Sequence, residues 1–125
     1  MRPPGRCNPL PHMIDHVRPA QLADWIAAQQ GAGTPLVLDV REPWELQTAS
    51  VAPQDFELLT IAMGDLPARL DELDPARPIA CLCHHGVRSL RVAVFLAHQG
   101  FERVANITGG IDAWSCEHDS GVPRY

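Results

Sequence analysis

Ala80-Cys81-Leu82-Cys83-His84-His85-Gly86-Val87-Arg88-Ser89 decides the fold. The stretch begins inside a short apolar run, Pro78-Ile79-Ala80-Cys81-Leu82, which starts at a proline and reads as a buried strand. It ends in a helix from Val87 to Gln99, with Val92, Phe95 and Leu96 at helical spacing and Gly100 as the stop. Between strand and helix lies a tight loop with a cysteine at its mouth. Such a loop aims several backbone N–H groups at one place, and the helix dipole adds to their pull on an anion. Cys83 therefore reads as a nucleophilic thiolate and not as a packing residue.

Further strands and helices lie on both sides of this unit. Met13 to Val17 reads as a short strand. Pro19 suits the first turn of a helix that carries Leu22, Trp25 and Ile26 as its apolar stripe and ends by Gly31 and Gly33. Leu36-Val37-Leu38-Asp39-Val40 is apolar but for one acid, as in a parallel strand covered on both faces. Pro43 stops it, and Trp44 to Gln47 suit one helical turn. Ala49 to Asp55 is irregular, and Phe56 to Ile61 reads as another strand. Asp65-Leu66-Pro67 looks like an N-cap with an early proline, opening a helix that ends near Asp74 with Leu66, Leu70 and Leu73 on one side. Val104 to Ile107 is the last strand, Gly109-Gly110 a turn, and Ile111 to Cys116 a final helical turn or two. Strands alternating with helices make an α/β domain with a mainly parallel sheet. Ligands of such sheets bind outside the carboxyl ends of the strands, where both Cys83 and Asp39-Val40-Arg41 fall.

The bulk properties narrow the function. A chain of 125 residues suits one domain with a real core. The expected division is a tail over residues 1–11, rich in proline, and a domain over residues 12–125. A formal net charge of −5 argues against nucleic acid as a partner. No apolar run is long enough to cross a membrane, and the N-terminal stretch lacks the apolar core of a signal peptide. Cys7, Cys81, Cys83 and Cys116 are too few and too irregular for a disulfide framework, which points to a reducing cytoplasm.

Three motifs, in order, carry a family resemblance. They are Leu38-Asp39-Val40-Arg41-Glu42-Pro43 with Glu45; Cys83-His84-His85-Gly86-Val87-Arg88-Ser89; and Gly100-Phe101 through Asn106-Ile107-Thr108-Gly109-Gly110-Ile111-Asp112-Ala113-Trp114. From about Met13 to the C-terminus the chain resembles the single-domain rhodaneses, sulfurtransferases that hold a sulfur atom as a cysteine persulfide. The resemblance implies a three-layer domain with a five-stranded, mainly parallel sheet flanked by helices. It implies Cys83 as the sulfur carrier and the loop amides of His84, His85, Gly86, Val87, Arg88 and Ser89 as the cradle of the outer sulfur. Two departures stand out. Thr48-Ala49-Ser50-Val51-Ala52-Pro53 replaces the Gly-His-Ile-Pro-Gly-Ala stretch common in the family, and the often basic loop positions are here His84 and His85.

Such a reaction uses a small sulfur donor and a cyanide or thiol acceptor, with a protein persulfide partner as a further option. No cofactor is expected. No metal is expected either, because Cys81, Cys83, His84 and His85 crowd into five residues and do not easily close a tetrahedron. Arg88 would hold the anionic end of the donor or brace the loop. His84 and His85 would donate protons, steer anions or simply face solvent. Asp39 and Arg41 would brace the active loop or only cap a strand end. Cys81 lies on the same strand face as Cys83 and reads as core, as do Trp25 and Trp114. Two other readings stay open. One is a phosphatase or arsenate reductase of the same fold, whose loop has five residues between cysteine and arginine where this chain has His84 to Val87. The other is a non-catalytic rhodanese-like binding module, which an intact Cys83 loop opposes.

Overall fold

The structure is a computed structural model that describes residues 14–29, 33–51 and 56–124. The tail over residues 1–11, Cys7, Gly31 and most of the irregular segment before Phe56 lie outside the described residues. Five strands form one sheet: β1 (Ile14–Val17), β2 (Leu36–Asp39), β3 (Glu57–Thr60), β4 (Ile79–Leu82) and β5 (Val104–Ile107). Their order is β1-β5-β4-β2-β3, and every neighbouring pair is parallel. Among the described residues four α-helices accompany them: α1 (Leu22–Ala28), α2 (Pro43–Thr48), α3 (Val87–His98) and α4 (Gly110–Glu117). This is the three-layer α/β arrangement expected from the alternation of apolar runs and helical stripes.

The period-two alternation of β4 divides the core. Ala80 and Leu82 face a layer with Leu22, Trp25, Ile111 and Trp114. Ile79, Cys81 and Cys83 face the other layer, with Val92, Leu96 and Phe101. Cys81 and Cys83 thus share one face, as alternation requires. All four residues of β4 are fully buried, which explains why this strand is continuously apolar. Its central position places the end of β4 between the ends of β2 and β5. Asp39 lies opposite Leu82, and Asn106 lies opposite Cys81.

One element differs from the sequence expectation. The segment after β3 is a 3-10 helix over Met63–Glu72, broken at Arg69. It is preceded by Ala62, and Asp65 makes no cap; Asp65 instead donates its N–H to the Ala62 carbonyl at 2.9 Å. Pro67 supplies the reason. Inside a helix it offers no N–H and its ring crowds the carbonyl four residues back, so a regular α-helix does not run through this segment. Leu66 and Leu73 are still buried and Leu70 packs against them, so the apolar side was read correctly.

Candidate active site

Cys83 directly follows β4, and its side chain is 1% exposed. Its Sγ accepts the Gly86 N–H at 3.0 Å and lies 3.3 Å from the Ser89 hydroxyl. Gly86 makes this turn possible. It caps α3 with φ +103°, where glycine is at ease, and a Cβ there would come within 3.1 Å of the Gly109 nitrogen. Val87 follows with its side chain largely in solvent, so only its backbone belongs to the loop.

Ser89 is fully buried and links the sulfur to β5. Its hydroxyl donates to Asn106 Oδ1 at 2.5 Å, and Asn106 Nδ2 donates to the Gly86 carbonyl at 3.3 Å. A hydroxyl has one proton to give. With that proton on Asn106, Ser89 Oγ can only accept from a Cys83 S–H. Once the sulfur is an anion, the same hydroxyl can turn and donate to it. Asn106 therefore orients both the loop turn and the group beside the sulfur.

The loop is also fastened from outside. Ile111 donates its N–H to the Cys83 carbonyl at 2.8 Å, and Asp112 donates to the His84 carbonyl at 3.2 Å. The first turn of α4 thus takes up two loop carbonyls. Such a close approach requires Gly110, with φ +60°, because a Cβ there would lie 2.4 Å from both carbonyl oxygens.

A chain of charges braces the other side. Arg41 is buried and grips Asp39, with Nε to Oδ1 at 2.9 Å and Nη2 to Oδ2 at 2.8 Å. It also donates to the Glu45 carbonyl at 3.3 Å, fixing α2 against the end of β2. The Glu45 carboxylate, 2% exposed, receives Arg88 Nη1 at 2.6 Å and Nη2 at 2.8 Å. Asp39 and Arg41 are therefore connected to the loop through Glu45 and Arg88. Arg88 thus ties the start of α3 to α2 through Glu45.

His84 and His85 stack with ring centroids 3.9 Å apart; His84 is half-buried and His85 exposed. They face Asp112 of α4. Hydrogen bonding to Arg124 holds the Asp112 carboxyl below its ordinary range, with smaller contributions from His85 and His84. Burial pushes the Cys81 thiol up, and the neighbouring Cys83 adds to this, so Cys81 is a protonated core residue.

All the sequence-selected residues thus gather at the ends of β2 and β4. Glu45 and Asn106 stand in the quoted motifs without an assigned role, and Gly110 is read there only as part of a turn. Asn106 had a readable signal, being a polar residue in an otherwise apolar strand. Gly110 had a weaker one in the Gly-Gly pair. Glu45 had none, since its partner lies 43 residues away.

The family model for the rhodanese-like domain matches residues 22–117. A rhodanese-like/PpiC domain-containing protein 12, chloroplastic, of Arabidopsis thaliana is 38% identical over 91 residues, covering 71% of this chain and 30% of that protein. Thiosulfate sulfurtransferase GlpE of Actinobacillus pleuropneumoniae is 43% identical over 72 residues, covering 57% of this chain and 61% of that one. The chain thus spans less than two thirds of the length of either relative. A rhodanese-related protein from Thermoplasma volcanium superposes with a TM-score of 0.66 at 32% identity, covering 83% of this chain and 93% of that chain. The chain belongs to the rhodanese-like domain family.

Proposed function

We propose that this chain is a sulfurtransferase that carries sulfane sulfur as a persulfide on Cys83. The observation that carries the reading is the Gly86 N–H on Cys83 Sγ at the start of α3. A donor aimed at the sulfur, at the positive end of a helix, favours an anion there. Both states of the cycle are anions, so one loop serves both.

The cycle has two displacements. The Cys83 thiolate attacks the outer sulfur of thiosulfate. The new S–S bond forms as the old one breaks, and the electron pair leaves with sulfite. Cyanide or a thiolate then attacks the outer sulfur of the Cys83 persulfide, taking it as thiocyanate or a new persulfide and restoring the thiolate. His84, His85, Gly86, Val87, Arg88 and Ser89 form the cradle. Asp39 and Arg41 position it. Acceptors include small thiols and a protein cysteine. The setting we assign is the cytoplasm, where thiols stay reduced.

Intact mass after incubation with thiosulfate tests the proposal. A gain of one sulfur atom is expected, reversed by cyanide and absent in Cys83→Ser. A Cys83→Ser protein that still gains sulfur and still turns over thiosulfate and cyanide would overturn it.

A further inference from the structure

We propose a binding site for one zinc-class divalent ion on His84, His85 and Asp112. One ligand atom from each of the three lies within 4.8 Å of the other two. They come from two elements, the loop after β4 and the first turn of α4. Those elements are already joined by the backbone bonds from Ile111 to Cys83 and from Asp112 to His84. The ligand set is thus held together before any ion arrives.

The chemistry of the set selects the ion class. Two imidazoles and one carboxylate suit zinc and its borderline neighbours and are poor for calcium or magnesium, which prefer oxygen. Around a tetrahedral ion with bonds near 2.0 Å, ligand atoms stand about 3.3 Å apart. To reach that spacing the stacked His84 and His85 rings must turn out of their parallel arrangement toward Asp112, and His85 and Asp112 are not locked in a core. Three protein ligands leave one position open to water or another donor.

Arg124 is the cation that occupies this carboxylate now. It donates to Asp112 at 2.8 Å and 3.2 Å, from an exposed position near the end of the chain. It competes with a metal ion for Asp112, which makes a specific prediction possible. Removing the guanidinium should tighten metal binding, whereas loss of a merely structural contact would not. Cys116 lies one helical turn beyond Asp112 and is exposed, so it is the natural rival ligand.

The test is a calorimetric titration of the full chain with zinc chloride, in a non-chelating buffer with a phosphine reductant. One equivalent is expected to bind. Asp112→Asn and His85→Ala should weaken binding at least tenfold, Cys116→Ser should change it less than twofold, and Arg124→Ala should strengthen it about fivefold. Melting temperature gives a second readout that does not depend on sulfur transfer. Zinc should raise it in the parent chain and not in Asp112→Asn, because a ligand that binds only the folded state stabilises it. No binding by the parent chain, binding lost in Cys116→Ser but kept in His85→Ala, or weaker binding in Arg124→Ala would each overturn the site.

Discussion

Arg88 and Glu45 meet in two parallel hydrogen bonds, 2.6 Å and 2.8 Å long, that join the start of α3 to α2. The carboxylate is 2% exposed and the guanidinium side chain 30%. The Arg88 charge is thereby balanced by a buried partner. Glu45→Gln removes that balance while keeping a shape that can accept from Arg88 and from the Glu42 N–H, which now bonds Oε1 at 3.1 Å. Its consequence for a dianionic donor is direct. The thiosulfate KM is expected to fall about fivefold, on the order of 1 kcal/mol. Steady-state kinetics at two salt concentrations checks this. An unchanged KM would show that the Arg88 charge does not reach the donor.

Removing the other partner has the opposite character. Arg88→Ala strands the Glu45 carboxylate in a buried place. Breaking a fully buried pair costs about 3–5 kcal/mol, and partial exposure of Arg88 lowers this to roughly 2 kcal/mol. Adding Glu45→Gln should recover about half of the loss, because the stranded charge is gone. Urea denaturation of the four proteins measures the cycle. Strictly additive effects would contradict a coupled pair.

The contrast between these residues shows what could be read in advance. β4, the Cys83 loop and α3 were legible because apolar runs, glycine and helical spacing are local signals. The neighbouring motif at Asp39-Arg41 was legible as a strand end. What was not legible was how one motif touches another. The Arg88–Glu45 pair needs the register of β2 against β4, and the Ser89–Asn106 bond needs β5 beside β4. The misread start of the segment after β3 has a local cause. Asp before an apolar residue and proline resembles an N-cap, yet the chain had already turned at Met63.

Gly110 offers the sharpest packing test. Gly110→Ala would place a Cβ 2.4 Å from the carbonyl oxygens of Cys83 and His84, at φ +60°. Backbone strain and overpacking together predict a loss of roughly 3 kcal/mol, with sulfur transfer lowered further because the loop must move. Gly33→Ala is the control. Its φ is +102° but nothing lies within 4 Å of the added Cβ, so about 1–2 kcal/mol and unchanged turnover are expected. Equal effects of the two substitutions would remove the role given to the α4 contact.

Ser89→Ala removes the hydroxyl that can turn toward the Cys83 anion. A hydrogen bond to a charged group contributes about 1.5–3 kcal/mol, so transfer from thiosulfate should slow roughly 10- to 100-fold. The substitution also leaves Asn106 Oδ1 without this donor, so stability must be followed separately. Alkylation of Cys83 by iodoacetamide at neutral pH gives the discriminating readout. It should slow in parallel with turnover. Slower turnover with unchanged alkylation would place Ser89 in donor binding instead of support of the sulfur.

The last prediction separates sulfur chemistry from phosphate chemistry at the same loop. A phosphate monoester brings three terminal oxygens, each needing a donor as charge develops in the transition state. Only four residues, His84 to Val87, stand between Cys83 and Arg88. The Gly86 N–H is directed at the sulfur itself, and the Arg88 guanidinium is directed at Glu45. A phosphoryl group being transferred would have to fit its three oxygens into the loop around Sγ and draw Arg88 off a buried carboxylate, whereas thiosulfate places only its sulfane sulfur in the loop and keeps its oxygens outside. No Cys83-dependent hydrolysis of p-nitrophenyl phosphate is therefore expected, in the parent chain or in Glu45→Gln, because freeing the charge does not lengthen the loop. One glycine inserted between Val87 and Arg88 should lower sulfur transfer at least tenfold, since it shifts Arg88 and Ser89 relative to Cys83. Robust phosphatase activity in the parent chain, lost in Cys83→Ser, would overturn both the loop-size argument and the proposed reaction.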